Sequence, residues 1–368
     1  MIKVGIVGCG KIADQHAMAI QEIDDCEIVG VCDKEELMAK QLAHRFKIKH
    51  FFSDFKKLLE FTNPDAIHVT TPPQSHYPIA EMALKADCHA FIEKPFALTA
   101  AETEELIRLA SSKNLTVTVG HDAQFTYSAL EMRRLIKDGY LGGPPVHMES
   151  YFCYDLSDPA YARVLLGDKT HWVRALPGKL LHNLISHGIS KIVEYLRSEE
   201  PTVFAHGFTS PLLNDIHETD IIDELRVLID DKNGTTAYFT FSSQMNPQLH
   251  EFRVYGPTNS LLIDYAHLSV IKLRGGKYKS YLDQFLPQYI FAKQYKVNAR
   301  RNIGRFLKRR FHMDHGMRFL ISAFYKSIRE STPPPIPYRE IIMTAKIMDE
   351  IFSQIYPKTS VETASISR

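Results

Sequence analysis

The chain has 368 residues, of which 45% are hydrophobic and 24% are charged, so it can build two or three domains with sizeable apolar cores. Its net charge of +1 gives no electrostatic reason to expect a nucleic-acid partner. No uninterrupted apolar run reaches the roughly 18 residues that a membrane span needs, and charged residues and glycines interrupt the N-terminus, so we expect neither a spanning helix nor a signal peptide.

The cysteines are few and scattered. The chain has five, an odd number, and none form a C-x-x-C pair: Cys9, Cys26, Cys32, Cys88 and Cys153. This usage argues against a disulfide framework and against a zinc site. We therefore expect no bound metal and a reducing, cytoplasmic compartment.

Short strands and helices alternate through the first third of the chain. We predict strands at Ile2–Val7, Glu27–Cys32, Ala66–Thr70, Ala90–Glu93 and Thr116–Gly120. We predict helices from the first glycine turn to about Ile23 and at Leu37–Phe46, Phe55–Phe61, Tyr77–Ala86 and Thr99–Lys113. Strands joined by such helices form right-handed parallel crossovers, so the sequence predicts an α/β fold with a doubly wound parallel sheet, the Rossmann arrangement.

A glycine-rich turn joins the first strand to the first helix. Gly8 permits the tight turn, Gly10 leaves room for a pyrophosphate at the backbone, and Ala13 allows the helix to pack closely on the strand. The amides at the start of the helix, at Lys11 and Ile12, would then face the phosphates. A structural glycine turn in an unrelated α/β protein is the alternative.

An acidic residue follows at the distance that a dinucleotide site requires. Asp33 ends the second predicted strand, 23 residues after Gly10. A carboxylate there accepts a hydrogen bond from the ribose 2′-hydroxyl of NAD and would repel a 2′-phosphate. We therefore predict NAD as the cofactor, although the neighbouring Lys34 leaves NADP open.

A lysine stands at the end of the fourth predicted strand, within Glu93-Lys94-Pro95. A side chain at that end of a parallel strand can reach into a cofactor cleft, and an ammonium group there stabilises developing alkoxide charge. The alternative is an ordinary surface lysine at a strand end.

Four stretches of sequence carry a resemblance to a known family: GCGKIADQH at 8–16, TPPQSH at 71–76, EKPFAL at 93–98 and WVRALPGKLLHNLISH at 172–187. The chain resembles the Gfo/Idh/MocA family of NAD(P)-dependent oxidoreductases, which includes glucose–fructose oxidoreductase and inositol dehydrogenase. The resemblance implies a Rossmann domain followed by an α+β domain, whose mostly antiparallel open sheet forms the substrate site and usually the oligomer contact. We place these domains at 1–121 and 122–356, followed by a tail at 357–368.

The resemblance assigns roles to the residues of two of these motifs. Thr71, Pro72 and His76 match the loop that lines the nicotinamide side of the cofactor. Glu93 and Lys94 match the family's EKP motif, in which the lysine contacts both the nicotinamide ribose and the substrate hydroxyl. The peptide bond after that lysine is often cis in the family.

A histidine is the second catalytic candidate. The resemblance aligns His187 with the histidine of a D-x-G-x-H pattern, on a helix that faces the nicotinamide. Histidine suits the removal of a hydroxyl proton because its ordinary pKa lies near neutrality. The family's aspartate is replaced by Asn183 and its glycine by Ile185, and Asn183 can orient a sugar hydroxyl but holds no charge. A histidine packed inside the second domain is the alternative.

Three further residues are substrate-binding candidates through the same resemblance. Trp172 and Arg174 lie in the stretch that leads to His187. Gln124 stands where the family's N-x-R-F stretch has its arginine, because this chain reads DAQF at 122–125. These departures leave the substrate contacts open.

The second domain reads as runs of strands with few helices. We predict helices at Thr126–Asp138 and Leu180–Leu196, and strands at Val146–Cys153, Thr202–Phe208, Ile221–Ile229, Thr235–Ser242, Glu251–Gly256, Ser260–Asp264, Val270–Leu273 and Lys277–Tyr281. Asn233-Gly234 and Gly275-Gly276 indicate hairpin turns within this set. We expect a mostly antiparallel sheet that covers helices on one face and pairs with another subunit on the other, as a homodimer or tetramer.

Residues 285–312 combine aromatic side chains with the basic cluster Arg300, Arg301, Arg305 and 308–310. Three interpretations stay open: a solvated amphipathic insertion, which we favour, a basic helix that touches anionic lipid, and a phosphate-binding element for a nucleotide-linked sugar. Two more helices are predicted after this segment, at Gly316–Ser331 and Tyr338–Ile355.

We predict an NAD(P)-dependent dehydrogenase that acts on a secondary hydroxyl of a sugar, cyclitol or nucleotide sugar. Two alternatives stay open. One is a glycosidase that oxidises and re-reduces its sugar with a retained NAD, and the other is a non-catalytic, NAD-binding sensor or regulator.

Overall fold

The computed structural model describes residues 1–154, 156, 169–215, 218–308 and 315–356. The predicted tail and part of the basic segment, Arg309, Arg310 and Phe311, lie outside these residues. Within the described ranges, no helix combines the length and the apolar character needed to cross a membrane.

The first sheet has six strands, all parallel: β1 Ile2–Val7, β2 Cys26–Cys32, β3 Phe51–Phe52, β4 Ala66–Val69, β5 His89–Ile92 and β6 Val117–Val119. The strand order is β3-β2-β1-β4-β5-β6. The order reverses between β1 and β4, and this is where a doubly wound sheet opens a crevice at its carboxyl edge. The predicted Rossmann arrangement is confirmed, and only the two-residue strand β3 was missed.

Five helices cross between these strands: α1 Lys11–Gln21, α2 Glu36–Phe46, α3 Phe55–Thr62, α4 His76–Lys85 and α5 Ala100–Ser112. Local sequence starts two of them. The Asp54 carboxylate accepts a hydrogen bond from the Lys56 amide at the start of α3, and the Thr99 hydroxyl accepts one from the Glu102 amide at the start of α5. Such caps satisfy amide groups that the first turn of a helix leaves unpaired.

The second sheet has seven strands: β7 His147–Cys153, β8 Thr202–Phe208, β9 Glu224–Asp230, β10 Thr236–Ser242, β11 His250–Tyr255, β12 Asn259–Asp264 and β13 Ser269–Arg274. Their order is β13-β12-β11-β7-β10-β9-β8. All neighbouring pairs are antiparallel except β7 and β10, which run parallel. The expectation of a mostly antiparallel sheet is confirmed.

The remaining helices, among the described residues, are α6 Tyr127–Lys137, α7 Lys179–Leu184, α8 Ser186–Val193, α9 Pro211–Asp215, α10 Leu282–Leu307, α11 His315–Glu330 and α12 Tyr338–Ile355. The prediction of one helix at 180–196 was therefore wrong in part. The chain forms two consecutive helices that meet at Ile185, and α8 ends at Val193.

The predicted strand Lys277–Tyr281 was also wrong, because β13 ends the sheet and the chain turns into α10. Side-chain amides of α10 occupy the backbone of β13, since Gln294 bonds to both the amide and the carbonyl of Lys272. An edge strand covered in this way has no free ladder positions left there for a further strand.

The buried apolar side chains form two clusters, one on each sheet. Helix α11 lies far along the chain yet packs on the first cluster through Leu320, Phe324 and Tyr325. Helix α12 contributes mainly to the second cluster, through residues such as Ile347 and Ile351. The domain division between residues 121 and 122 stays a prediction.

Candidate active site

The glycine turn after β1 has the geometry of a phosphate site. Gly8 has a φ of +96°, and a Cβ there would lie 2.6 Å from the backbone of Thr70, so a side chain would strain the turn and collide with it. A Cβ on Gly10 would meet no atom within 4 Å. The space in front of α1 is therefore open, and the first amides of the helix, at Lys11 and Ile12, lie where a dinucleotide pyrophosphate would fit.

The carboxylate of Asp33 lies against this turn at the end of β2. One of its oxygens, Oδ2, accepts a hydrogen bond of 2.7 Å from the Cys9 amide, and Oδ1 accepts one of 2.9 Å from the Glu35 amide. These bonds hold a negative charge beside the open space. That arrangement fits an adenosine ribose with a free 2′-hydroxyl better than one with a 2′-phosphate.

His76 connects the loop after β4 to the EKP segment. Its Nδ1 lies 2.7 Å from the carbonyl oxygen of Pro95, and its Nε2 lies 2.8 Å from the carbonyl oxygen of Thr71. The ring is fully buried, and burial lowers its pKa. His76 therefore lies beneath the loop that it was predicted to line, while Thr71 and Pro72 lie at the loop's more open side.

Glu93 and Lys94 point into different parts of the site. Glu93 is buried, with Oε1 lying 3.0 Å from His16 Nε2, and a Cβ on Gly120 would lie 2.6 Å from that same Oε1. Burial acts to raise the pKa of Glu93, but the hydrogen bond from His16 and the nearby charges hold it below its ordinary value. Glu93 thus fixes the EKP segment to α1 through its bond to His16. The peptide bond between Lys94 and Pro95 is cis.

The Lys94 ammonium group reaches across to the second sheet's helices. Its Nζ donates to Asn183 twice, to the backbone oxygen at 3.0 Å and to the side-chain Oδ1 at 3.2 Å. Burial lowers the pKa of Lys94, while Glu93 and Asp122 oppose that change. A lysine placed in this way is a directed hydrogen-bond donor with reduced affinity for its proton.

His187 is the second residue of α8 and faces Asp122. Its Nδ1 lies 3.9 Å from Asp122 Oδ1, and its ring stacks on Phe152 at a centroid distance of 5.1 Å. Burial lowers the pKa of His187 well below its ordinary value, and the cations Lys94 and Lys191 act in the same direction. The imidazole is therefore neutral at pH 7 and can accept a proton.

Asp122 was not among the predicted site residues. Burial raises its pKa to about 6, with Glu93 acting in the same direction, although 37% of its side chain is still open to solvent, which weakens the effect. It lies three residues after the end of β6, at the carboxyl edge of the first sheet. That position could have identified it, because functional side chains of doubly wound sheets gather at this edge.

A buried lysine on α8 was also missed. Lys191 lies four residues after His187, and its Nζ donates to His250 Nε2 at 2.7 Å and lies 3.9 Å from the centroid of the Tyr265 ring. Burial lowers the pKa of Lys191 to about 7 and that of His250 to about 2. No local sequence pattern predicts the cluster of Lys191, His250 and Tyr265, because its members come from a helix, a strand and a loop.

Two predicted substrate contacts have other partners in the fold. The Gln124 side chain is buried, and its Nε2 donates to the Ser190 carbonyl oxygen and to the Glu194 carboxylate. The Arg174 guanidinium pairs with Glu218 at 2.8 Å. These bonds hold both side chains within the protein, and their roles as substrate contacts stay a prediction. Trp172 remains a candidate, because its carbonyl oxygen accepts a 2.7 Å bond from Gln74 in the loop after β4.

Comparison with known proteins places this site in context. Residues 2–121 match the family model GFO_IDH_MocA, described as an oxidoreductase family with an NAD-binding Rossmann fold. The uncharacterized oxidoreductase YrbE of Bacillus subtilis is 24% identical over 83% of this chain and 85% of its own length. The myo-inositol 2-dehydrogenase of Thermotoga maritima is 23% identical over 78% of this chain and 84% of its own.

A solved structure extends the likeness of fold along almost the whole chain. The UDP-N-acetylglucosamine 3-dehydrogenase of Acidithiobacillus ferrooxidans superposes with a TM-score of 0.71 at 18% identity, covering 96% of this chain and 97% of its own. The glycine turn, the EKP segment and the Rossmann sheet all lie within residues 2–121, the part of this chain that matches the Gfo/Idh/MocA family of NAD-binding oxidoreductases.

Proposed function

We propose that the protein is an NAD-dependent dehydrogenase of a sugar, cyclitol or nucleotide sugar, and that it oxidises a secondary hydroxyl group. One observation carries the proposal. The Lys94 ammonium group, which follows β5, and the neutral His187 ring, which lies on α8, come together near Asp122 at the carboxyl edge of the Rossmann sheet. Sugar and cyclitol dehydrogenases among the relatives support the substrate class.

Each residue has a chemical task in this proposal. His187 accepts the hydroxyl proton, because its lowered pKa leaves the ring neutral at pH 7. Lys94 donates a hydrogen bond to the same oxygen and stabilises its developing negative charge. When bound, NAD supplies the acceptor for the hydride that leaves the carbon atom.

In this proposal, Asn183 and Asp122 together take the role of the single aspartate in the family's D-x-G-x-H pattern. Asn183 holds Lys94 through two oxygens and can orient a substrate hydroxyl, but it adds no charge. Asp122 brings a carboxylate to His187 from the other side of the cleft. Once His187 has taken a proton, that carboxylate stabilises the imidazolium form.

The proposal includes a preference for NAD over NADP. The Asp33 carboxylate is held by two backbone amides, so it cannot turn away from a 2′-phosphate without losing both bonds. We expect NAD to bind more tightly than NADP. An Asp33→Ala variant should narrow this difference, and isothermal titration with the two cofactors measures it.

The test is a panel of sugars, cyclitols and nucleotide sugars, assayed with NAD for the appearance of NADH. Turnover by the wild type and its loss in Lys94→Met would support the proposal. The exposed Lys40 on α2 supplies a matched control, because Lys40→Met removes the same charge far from the cleft. Release of a hydrolysed glycoside without net NADH would favour the glycosidase, and tight NAD binding without turnover would favour the sensor.

We further propose a homo-oligomer, as a dimer or tetramer, formed through the open face of the second sheet. Large apolar side chains are exposed on that face, at Phe204, Phe208 and Tyr238. Light scattering of the wild type and of Phe204→Asp tests this, and a monomeric wild type would contradict it. A cytoplasmic location is part of the same proposal, supported by five cysteines that are all free.

A further inference from the structure

We propose that α10 is a membrane-surface helix that binds anionic lipid bilayers through its outward face. The inference is independent of the proposed reaction, because α10 lies on the far edge strand β13 of the second sheet and contributes none of the residues assigned above.

The polar side chains of α10 face the protein. Gln294 bonds to both backbone groups of Lys272, Asn298 donates to the Val270 carbonyl oxygen at 3.0 Å, and Asn302 donates to the His267 carbonyl oxygen at 3.0 Å. The three amides recur at every fourth residue, which places them on one face of the helix. This amide stripe binds the edge of the sheet, and its central member, Asn298, is the buried residue of the helix.

Several large apolar side chains of α10 face outward, although Ile290 and Phe291 are half-buried against the protein. Phe285, Tyr289, Ile303, Phe306 and Leu307 are between 59% and 74% exposed. Their spacing places Phe285, Tyr289, Ile303 and Leu307 on the side of the helix opposite the amide stripe, and Phe306 beside that stripe. A surface helix ordinarily turns its apolar stripe to the core, whereas α10 turns an amide stripe to the sheet and leaves these five apolar side chains exposed. This face therefore needs an apolar partner outside the subunit.

Charge identifies the partner. Helix α10 contains five basic residues and one acidic residue, Asp283, while the whole chain has a net charge of only +1. Lys293, Lys296 and Arg300 are exposed on the same outward side of the helix, between Tyr289 and Ile303 along the chain. Exposed aromatic and aliphatic side chains flanked by cations are the composition of helices that lie in the interface of anionic bilayers.

A second copy of the chain fits this face less well. Two-fold pairing of α10 with itself would bring its excess of cations against the same cations on the partner, which is unfavourable. Anionic headgroups complement that charge, and the acyl region accepts the aromatic rings. A helix of 26 residues, about 39 Å long, would lie in the plane of the bilayer surface.

Vesicle flotation with the full-length protein tests the proposal. We expect the wild type to float with vesicles of phosphatidylcholine and phosphatidylglycerol, to float less as salt is added, and to stay at the bottom with phosphatidylcholine alone. The triple variant Tyr289→Ser, Ile303→Ser, Phe306→Ser should lose flotation. In a second triple variant, Lys293→Gln, Lys296→Gln, Arg300→Gln, binding should fall by about fivefold for each charge removed.

The matched control is Phe61→Ser, which removes an equally exposed aromatic ring from α3 of the first sheet and should leave flotation unchanged. Retained NAD binding shows that each variant is folded. The proposal is overturned if the wild type does not float, or if flotation survives both triple variants. It is also overturned if the serine variant only converts a dimer into a monomer in light scattering, or if the glutamine variant only weakens the binding of UDP.

Discussion

Replacement of Lys94 by methionine tests the proposed chemistry most directly. Methionine keeps the length and much of the apolar volume of lysine but removes the ammonium group that lies 3.0 Å and 3.2 Å from the two oxygens of Asn183. Asn183 would still be in place, and so would His187. The variant therefore isolates the electrostatic contribution of one donor.

The size of the effect follows from Coulomb's law. With an effective dielectric constant of about 20, a unit charge about 3 Å from half a developing negative charge contributes roughly 3 kcal/mol. That free energy corresponds to a loss of roughly 100-fold in kcat, which agrees with the loss of about 100- to 1,000-fold seen when one oxyanion donor is removed.

The assay is steady-state NADH formation with the best substrate of the panel, together with NAD titration of the free protein. We expect kcat to fall by about two orders of magnitude, while NAD still binds. A Lys94→Met protein that binds NAD and keeps its kcat within a few-fold of the wild type would refute the reasoning.

The pH profile gives a second readout for Lys94. Burial lowers its pKa below the ordinary value of a lysine, so the cation, and activity with it, is lost as the pH rises through that lowered pKa. An arginine stays charged over the accessible range. A Lys94→Arg variant should therefore have lower activity, but its activity should not fall as the pH rises. If its activity falls at the same alkaline pH as that of the wild type, the fall is caused by a group other than Lys94.

Three more predictions follow from particular contacts. His187→Gln should reduce kcat by about 100- to 10,000-fold, and protonation of His187 itself should reduce wild-type activity only well below pH 6.5, because its pKa is low. Gly8→Ala should abolish NAD binding in a titration, whereas Gly139→Ala, at a φ of +82° with no atom near its Cβ, should leave NAD binding intact. Tyr325→Phe removes the 2.7 Å bond to the buried His68 and should lower the free energy of unfolding by about 1–3 kcal/mol in urea; an unchanged urea midpoint would contradict this.

Most of the Rossmann half could be read from the chain, because its signals are local. These signals are the alternation of strands and helices, the glycine turn and the acid at Asp33, and each depends on residues close together in the sequence. The structure has each of them at its predicted position. The EKP motif likewise marks a strand end, and its lysine does reach into the cleft.

The substrate side depends on contacts between distant segments. Gln124 and Arg174 look like free polar groups in the sequence, but acidic residues 70 and 44 positions away pair with them. Asp122 and His187 meet although 65 positions separate them, because one lies just after β6 and the other lies in the first turn of α8. Pairing of this kind depends on how the two sheets are placed, and residue spacing does not encode it.

For the basic segment, too, the sequence determined the type of element and the tertiary structure decided its orientation. Its sequence determined an amphipathic, positively charged helix, since period and composition are local properties. Which side of that helix meets the protein was decided by the edge of β13, whose unpaired backbone groups take the amides of Gln294 and Asn298, while Asn302 donates to the His267 carbonyl oxygen just before the strand. An edge strand needs hydrogen-bond partners more than apolar cover, and for that physical reason the apolar face of α10 points away from the fold.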